Sequence, residues 1–441
     1  MNGKSGSVLV SRQTTGHGFL RRDVEFPYTF VYDDRTRYFL FGNTYYALLD
    51  SVMNGGGWKD AVDKTRALGM NKIRFTVYRG GLGASEGKAD PGALEKPDLE
   101  AMNALDNLVR YLGSQEIIAD LLMVRRAHVN AMTLEQGKNW MRYLVARYGA
   151  FPNVIWCLTN EWEYSDKGKD FWSALGRFVH EEDPMMWRGK YQRGLSVHQQ
   201  TRYDWQMPGE KWFSHAIIQL GVRNRGKAHR GGDEWKRASN DWRNSFHHGD
   251  DWGHFGIAHS WGRNYPVVND EYGYIGEPRD ETEPKTPSGE SVRYSREKHR
   301  RTIWGIYMAG GFGSAGDKNQ YPEGRPYITP SFWRDTSEWD DVSHLIRFFT
   351  GKGLEWWKLM PSQNLVSGGD RVYVLAEEGR QYVVYAAAGG TVSIRLASGD
   401  YEARRFDPRT GAEAALGTMT GSARIQLPDN QDWVVVLNRR R

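Results

Sequence analysis

The chain has 441 residues, among them 18 Trp and 23 Tyr, and carries a formal charge of +5 at pH 7. Its 59 basic and 54 acidic residues are nearly balanced and form no long basic stripe, which argues against a nucleic-acid-binding protein. The length predicts a large domain followed by an accessory one, and no segment approaches the ~20 apolar residues of a membrane-spanning helix. The abundant aromatic rings suit stacking on sugar rings as well as filling a core.

The N-terminal segment and the single cysteine bear on localisation. Residues 1–18 contain no apolar core of the secretory kind, so we expect a cytoplasmic protein or a secreted one whose signal sequence is not part of this chain. Cys157 is the only cysteine and forms no intrachain disulfide, so we interpret it as a small buried apolar residue. The sequence leaves the redox compartment and the oligomeric state open.

Strand-like and helix-like segments alternate from residue 38 onwards. In the first part, helices are predicted at 58–68, after the capping residue Asp98, and after Thr133, which begins a capping box with Gln136. Four strands are predicted, at 38–42, 72–77, 116–123, and in the run that begins at 153 and ends at Asn160 and Glu161. The third of these runs is apolar throughout, which is typical of a strand buried on both faces.

The second part of the chain continues this alternation. Strands are predicted at 194–197 (ending at His198), 216–220, 266–269 and 311–315, and helices around 171–179, at 293–308 and at 339–349. The segment 221–264 is longer than an ordinary connection and is expected to be a functional loop. Eight strand–helix units predict an α/β fold, namely a (β/α)8 TIM barrel over residues 1–360 with a short N-terminal extension. An open doubly wound sheet is the alternative, but no Gly-rich nucleotide fingerprint follows the first strand.

The pattern changes near residue 361. Short alternating or apolar segments follow at 371–376, 381–387, 392–396, 401–406, 423–427 and 433–438. Turn signals separate them, for example at 398–400 and 407–411. This spacing predicts a small all-β sandwich over residues 361–441 as an accessory domain.

Two glutamates stand at the ends of predicted barrel strands. Glu161 follows the fourth strand, and Glu271 follows the seventh. A carboxylate at the C-terminal end of a buried strand is costly to place there, and in a barrel all such ends meet at one mouth. Glycoside cleavage needs one carboxyl group to protonate the leaving oxygen and a second to attack the sugar or activate water. The sequence therefore predicts a carbohydrate-cleaving site at this mouth.

The pair of motifs resembles the clan A glycoside hydrolases, which are retaining enzymes on (β/α)8 barrels. The resemblance implies that Glu161 is the acid/base, that Glu271 is the nucleophile, and that Asn160 binds the hydroxyl next to the reacting carbon. The segments 18–21, 39–44, 118–122 and 133–160 are similar to the family 140 (apiosidase-like) group, which joins a barrel to a C-terminal β-sandwich. The chain departs from that group at 123–130, so the resemblance does not extend to the identity of the sugar.

Six further residues are candidates for substrate binding. Arg74, in the second strand, is expected either to keep the nucleophile ionised or to form a structural ion pair. His198 is expected to line the mouth or to be a structural histidine. The others are Asn43 and Tyr46, which reach the sugar or cap a loop, and Trp162 and Tyr272, which flank the glutamates and of which one is expected to shape the pocket.

Two aspartates and one polar cluster are interpreted as structural. Asp120 is expected to be buried and hydrogen-bonded, and Asp270 to point to the opposite face of its strand from Glu271. The cluster in the long loop fits no zinc motif and is interpreted as polar loop, so neither a metal nor another cofactor is expected; its members are His247, His248, Asp250, Asp251 and His254.

The sequence together with this resemblance predicts a retaining glycoside hydrolase whose partner is a polysaccharide or oligosaccharide. A serine hydrolase is disfavoured because no Gly-x-Ser-x-Gly follows a strand. The alternative from another class is a non-catalytic carbohydrate-binding or adhesion protein that works through its C-terminal sandwich.

Overall fold

The computed structural model describes residues 16–79, 94, 96–124, 129–162, 165–187, 193–196, 198–200, 207, 209–219, 252–272, 274–275, 296–317, 338–351, 353–367 and 371–440. Three short strands near the beginning form an antiparallel sheet, β1 (Leu20–Arg22), β2 (Phe30–Tyr32) and β3 (Arg37–Tyr38).

A parallel sheet forms the wall of a nearly closed barrel. Its segments are β4 (Phe41–Thr44), β5 (Lys72–Thr76), β6 (Ile118–Val124), β7 (Val154–Thr159), β8 (Leu195–Ser196), β9 (His198–Gln200), β10 (Ala216–Gln219), β11 (Val267–Asn269) and, after the short β12 (Tyr274–Ile275), β13 (Phe312–Asp317). The order is β8-β7-β6-β5-β4-β13-β11-β10-β9, and every adjacent pair is parallel. β8 and β9 are two pieces of the fifth barrel strand, so eight parallel strands surround the interior. The predicted (β/α)8 barrel is confirmed.

Two of the predicted barrel strands differ from the observed ones by more than one or two residues at their ends. The first barrel strand begins at Phe41 rather than at residue 38, because Tyr38 pairs with Phe30 in the small N-terminal sheet. The fifth strand is split, with β8 paired to β7 and β9 paired to β10. His198 therefore begins β9 instead of following the strand.

Helices follow the strands around the barrel. They are α1 (Leu48–Met53), α2 (Trp58–Ala67), α3 (Leu99–Ser114), α4 (Leu134–Tyr148), α5 (Lys169–Glu182), α6 (Pro184–Trp187), α7 (Trp252–Ser260), α8 (Arg296–Met308) and α9 (Glu338–Thr350). Asp98 caps α3 by accepting a hydrogen bond from the backbone N–H of Ala101, and Thr133 and Gln136 form the predicted capping box of α4. Such caps contribute about 1 kcal/mol each. None of the helices in the described part of the chain is long and apolar enough to cross a membrane.

The small N-terminal sheet covers the N-terminal end of the barrel. Phe30 of β2 packs on Phe312, the first residue of β13, and on His215, which precedes β10. The ring centroids lie 5.6 and 5.4 Å from that of Phe30. These contacts fill the N-terminal end of the barrel interior.

A separate antiparallel sheet follows the barrel, as predicted. Its strands are β14 (Met360–Pro361), β15 (Val366–Ser367), β16 (Val372–Glu377), β17 (Gln381–Ala386), β18 (Thr391–Phe406), β19 (Glu413–Gln426) and β20 (Trp433–Arg439), with 3-10 turns at Trp356–Lys358 and Gln363–Leu365. The order is β14-β16-β17-β20-β18-β15, and β19 pairs with β18. The turn predicted at 398–400 is wrong, because β18 runs through these residues. Gly399, with φ +135°, absorbs a shift of register there. The division into residues 1–360 and 361–441 stays a prediction.

Helix α8 joins the barrel to this sheet through two buried side chains. Arg300 donates from Nε and Nη2 to the two carboxylate oxygens of Asp432, at 2.8 and 2.7 Å. Trp304 is fully buried and stacks on Tyr385 of β17, with ring centroids 5.5 Å apart. The two domains are therefore coupled by a bidentate ion pair beside an aromatic stack.

Replacing Trp304 with Ala is expected to lower the free energy of unfolding by about 3–5 kcal/mol, because it leaves a cavity at the junction. Denaturant unfolding followed by fluorescence or circular dichroism measures the loss. Leu99→Ala is a suitable control, since Leu99 is 64% exposed and its truncation should change stability by at most about 0.5 kcal/mol. A loss below about 1 kcal/mol for Trp304→Ala would contradict the packing described.

Candidate active site

Arg74 is the centre of a buried polar cluster. Its Nη2 lies 2.5 Å from Oε1 of Glu271 and 3.0 Å from Oδ1 of Asn160, and it also donates to the hydroxyl of Tyr46. The Tyr46 hydroxyl donates in turn to Oδ1 of Asn160, at 3.3 Å. Three side chains that are far apart in sequence therefore meet around the guanidinium group of Arg74.

The fold explains why these residues meet. Arg74 lies on the interior face of β5, in register with Thr44 of β4 and Asp120 of β6. The other three members follow strands directly: Tyr46 comes two residues after β4, Asn160 one residue after β7, and Glu271 two residues after β11. The C-terminal ends of parallel barrel strands converge at one mouth, which is where barrel enzymes place their chemistry.

The Tyr46 ring also touches the apolar interior of the barrel. It packs with Leu122, Cys157 and Ile217, all of which are buried. The interpretation of Cys157 as a small buried apolar residue is confirmed. This apolar layer lies beside the polar cluster and keeps bulk water out of the barrel interior, so electrostatic interactions of Arg74 are stronger there than in water.

Glu161 occupies a strained position at the end of β7. Its φ is +45°, in the left-handed region that costs a residue with a Cβ atom about 1–2 kcal/mol. The chain therefore turns sharply at Glu161, two residues after the end of β7. Trp162 follows and is 4% exposed, and its Nε1 makes no hydrogen bond within the described part of the chain. Backbone strain of this kind is found preferentially at functional sites.

A second layer of charge lies beneath Arg74. Lys72, two residues earlier in β5, donates to Oδ2 of Asp120 at 2.9 Å and to both carboxylate oxygens of Asp270 at 2.7 and 2.9 Å. Ser314 of β13 donates to Oδ1 of Asp270, and Nη1 of Arg74 lies 3.7 Å from Oδ2 of Asp270. All of these charged groups are at most 1% exposed.

The charges in this layer shift one another's pKa. Burial alone would lower the pKa of Lys72, but the negative charges of Asp270 and Asp120 outweigh this effect and raise it. Burial would raise the pKa of Asp270, but Lys72 and Arg74, with the hydrogen bonds from Lys72 and Ser314, hold it well below its usual range. For Asp120, burial outweighs the attraction of Lys72, and the pKa is raised.

The structure brings together four of the predicted site residues and separates others from them. Arg74, Glu271, Asn160 and Tyr46 form the cluster around the guanidinium group. Asn43 is not part of it. It lies inside β4, in register with Ile73 rather than Arg74, and donates from Nδ2 to the hydroxyl of Tyr45 at 2.7 Å.

Tyr272 and His198 are not placed in the cluster either. Tyr272 is fully buried, and its hydroxyl lies 3.2 Å from Nε2 of His299 on α8. Burial raises the pKa of Tyr272 well above its usual value. The backbone of His198 begins β9, and its side chain lies outside the described part of the structure.

The prediction for Asp270 is wrong, whereas that for Asp120 is confirmed. Asp270 points into the barrel beside Glu271, and both carboxylates approach Arg74. Strand β11 ends at Asn269, so the alternation of faces does not continue through Asp270 and Glu271. Asp120 is buried and accepts a hydrogen bond from Lys72, as expected.

Lys72 and Ser314 are the site residues that the sequence analysis missed. The signal for Lys72 was present, because a residue two positions before an interior arginine shares its face of the strand. Ser314 is in register with Gly42. A Cβ atom at Gly42 would collide with both Ser314 and Lys72, so this glycine makes room for the charged layer.

The residues described here hold no group of three or more His, Cys, Asp or Glu side chains that could bind a metal. Of the polar cluster in the long loop, residues 247–251 lie outside the described residues. His254 lies on α7, stacks on Tyr373 with ring centroids 3.9 Å apart, and has a pKa lowered to about 4 by burial. That pairing attaches α7 to the C-terminal sheet.

Comparison with protein families identifies the family to which the barrel belongs. Residues 27–319 match the family described as "Apiosidase-like, catalytic domain", which is more than half of the chain. The chain belongs to this family. The match includes all four residues of the Arg74 cluster, and it confirms the resemblance inferred from the sequence motifs. A comparison with curated proteins finds no match.

Solved structures share the architecture of this apiosidase-like chain. A glycoside hydrolase family 5 protein from Bacteroides vulgatus ATCC 8482 superposes with a TM-score of 0.74 at 15% identity, covering 96% of this chain and 94% of its own. A protein described as a glycoside hydrolase gives 0.71 at 16%, covering 96% and 97%. A putative glycoside hydrolase, also from B. vulgatus ATCC 8482, gives 0.64 at 17%, covering 96% and 83%. At these identities the likeness establishes the fold, which is the barrel with its C-terminal sheet.

Proposed function

We propose that the protein is a retaining glycoside hydrolase in which Glu271 is the nucleophile and Glu161 the acid/base. The observation that carries the proposal is the 2.5 Å contact between Nη2 of Arg74 and Oε1 of Glu271 at the buried end of β11. A carboxylate that accepts a charge-assisted hydrogen bond from a buried arginine is favoured in its ionised form. An ionised, oriented carboxylate is what attack on an anomeric carbon requires.

Glu161 supplies the complementary role. It stands at the end of β7, whereas Glu271 follows β11, and a glycosidase needs its two carboxyl groups on different sides of the scissile bond. The strained backbone at Glu161 fits a side chain that is directed towards a substrate rather than into regular structure.

The reaction would proceed in two steps. Glu271 forms a bond to the anomeric carbon while Glu161 gives its proton to the departing glycosidic oxygen, leaving a glycosyl-enzyme. Glu161, now ionised, then takes a proton from water, which attacks the same carbon and releases Glu271. Two inversions give net retention of configuration.

Asn160 and Tyr46 would bind the sugar at the site of attack. Both already touch Arg74, so their polar atoms are oriented before the substrate arrives. In the resemblance to clan A enzymes, Asn160 contacts the hydroxyl next to the reacting carbon. Such a hydrogen bond contributes to catalysis when it strengthens in the transition state.

The proposal is tested with a panel of aryl β-pyranosides and furanosides, apiosides among them, together with pectic and arabinan polysaccharides. The wild type and Glu271→Ala are compared, and the anomeric configuration of the first product is read by NMR. Product with retained configuration that is lost in the variant supports the proposal. Binding to a polysaccharide without any product would favour the carbohydrate-binding alternative, and product of inverted configuration would exclude the two-step mechanism.

A further inference from the structure

The charged layer beneath the site has an unequal number of acids and bases. Three carboxyl groups alternate with two cations: the carboxyl groups are those of Asp120, Asp270 and Glu271, and the cations are Lys72 and Arg74. The contacts run in a line from Asp120 through Lys72, Asp270 and Arg74 to Glu271. Each cation therefore lies between two carboxylates, and each pair competes for one positive charge.

The guanidinium group of Arg74 contacts two carboxylates that are adjacent in sequence, those of Asp270 and Glu271. Its Nη1 faces Asp270 at 3.7 Å, and its Nη2 faces Glu271 at 2.5 Å. The charge of Asp270 is neutralised mainly by other groups than Arg74, because Lys72 contacts both of its carboxylate oxygens and Ser314 donates to one of them. Because Lys72 neutralises Asp270, the positive charge of Arg74 is available to interact with Glu271.

We propose that Lys72 and Asp270 are positioning residues that determine how much of the positive charge of Arg74 is available to the proposed nucleophile Glu271. The inference rests on the proposed function. It assigns a role to groups that do not touch the substrate and that are fully buried below the mouth. The pKa directions of the two aspartates agree with it, since the pKa of Asp270 is lowered and that of Asp120, at the far end of the line, is raised.

Burial keeps three titratable groups beside this line neutral, namely His215, Tyr38 and Tyr307. Burial, together with a smaller effect of the positive charge of Lys72, lowers the pKa of His215 to about 3. Burial raises the pKa of both Tyr38 and Tyr307 well above the usual value. Tyr46 faces Arg74 from the end of β4, and Glu161 stands at the mouth after β7. The balance at Glu271 is thus set mainly by the line of five charges.

The test is the acid limb of the pH profile of kcat/KM, which reports ionisation of the nucleophile in the free enzyme. Asp270→Asn removes the carboxylate that shares Arg74, so the limb should move to lower pH by about 1 unit. Lys72→Met leaves Asp270 to compete for Arg74, so the limb should move to higher pH by about 1 unit. Asp120→Asn is the matched control. It makes the same change at the end of the line farthest from Glu271, so it should move the limb to lower pH by less than Asp270→Asn does.

Opposite shifts in Asp270→Asn and Lys72→Met would establish the positioning role. A purely structural role would lower the unfolding midpoint of both variants and leave the acid limb of the folded enzymes in place, which would overturn the inference. If Lys72→Met does not fold, the near-isosteric variants Asp270→Asn and Asp120→Asn provide the test. A larger shift of the acid limb to lower pH in Asp270→Asn than in Asp120→Asn supports the inference, and equal shifts overturn it.

A readout without substrate separates this inference from the proposed function. The protonated carboxyl band of Glu271 is followed by infrared difference spectroscopy against pH, with Glu271→Gln to identify it. If no glycoside is turned over but the titration of this band moves as described, the proposed function fails and the positioning role stands. If turnover is found and neither readout moves, the positioning role fails and the proposed function stands.

Discussion

Replacing Glu271 with Gln is expected to lower kcat by at least about 10⁴-fold, because the amide cannot form the glycosyl-enzyme. The measurement is initial-rate kinetics on the best substrate of the panel. The change in shape is small, but Arg74 loses one of its two carboxylate partners in a buried position, so some loss of stability is expected as well. Thermal unfolding, measured on the same preparation, separates inactivity from unfolding.

A matched control shows whether that effect is local. Glu402 is a glutamate on the C-terminal sheet whose side chain is 72% exposed, and Glu402→Gln should leave kcat unchanged within a factor of about 2. A folded Glu271→Gln enzyme that keeps more than about a tenth of the wild-type kcat would remove Glu271 from the role of nucleophile.

Replacing Glu161 with Ala is expected to produce a loss that depends on the leaving group. For a poor leaving group such as an alcohol, general acid catalysis is worth about 10² to 10⁴-fold, and kcat/KM should fall by that factor. For a dinitrophenolate, which leaves without protonation, kcat/KM should change little. The basic limb of the pH profile should also disappear, since it reports the proton on the acid.

Chemical rescue provides the control for Glu161. The Ala variant leaves space beside the glycosyl-enzyme, so added azide should accelerate turnover of the activated substrate and give a glycosyl azide of retained configuration. Equal losses for good and poor leaving groups, with no effect of azide, would show that Glu161 does not act as the acid/base.

The barrel and the two glutamates could be predicted because they depend on local patterns. The second barrel strand is predicted at 72–77 and is observed as β5 (Lys72–Thr76), and Arg74 lies within it, as expected. The C-terminal ends of β7 and β11 could be predicted because polar residues follow an apolar run at each of them. From there the convergence of Asn160 and Glu271 is a consequence of barrel geometry.

The remaining contacts depended on where strands begin and end. The predicted first strand ended at residue 42, so Asn43 was expected in the loop above the barrel. In the structure it lies inside β4 in register with Ile73, so the alternation of the strand places its side chain on the face opposite that of Arg74. In the same way, the end of β11 at Asn269 directs both Asp270 and Glu271 towards Arg74.

The charged layer could not be predicted from spacing alone. Lys72, Asp120 and Asp270 come from three different strands or strand ends, and their contacts exist only once the barrel has formed. A lysine or aspartate in a short strand is more often exposed. Asp120 could be expected in the interior, and Lys72 shares the face of Arg74, but their mutual neutralisation with Asp270 is a property of the folded structure.

The most direct test of the central claim is to trap the glycosyl-enzyme. A 2-deoxy-2-fluoro glycosyl fluoride of the sugar identified in the panel slows the second step more than it slows the first, so the intermediate accumulates. After proteolysis, mass spectrometry locates the added sugar. A two-step mechanism with Glu271 as nucleophile predicts one sugar per chain, attached to Glu271 and absent from Glu271→Gln. A sugar attached to another residue, or inactivation without any covalent sugar, would contradict the account.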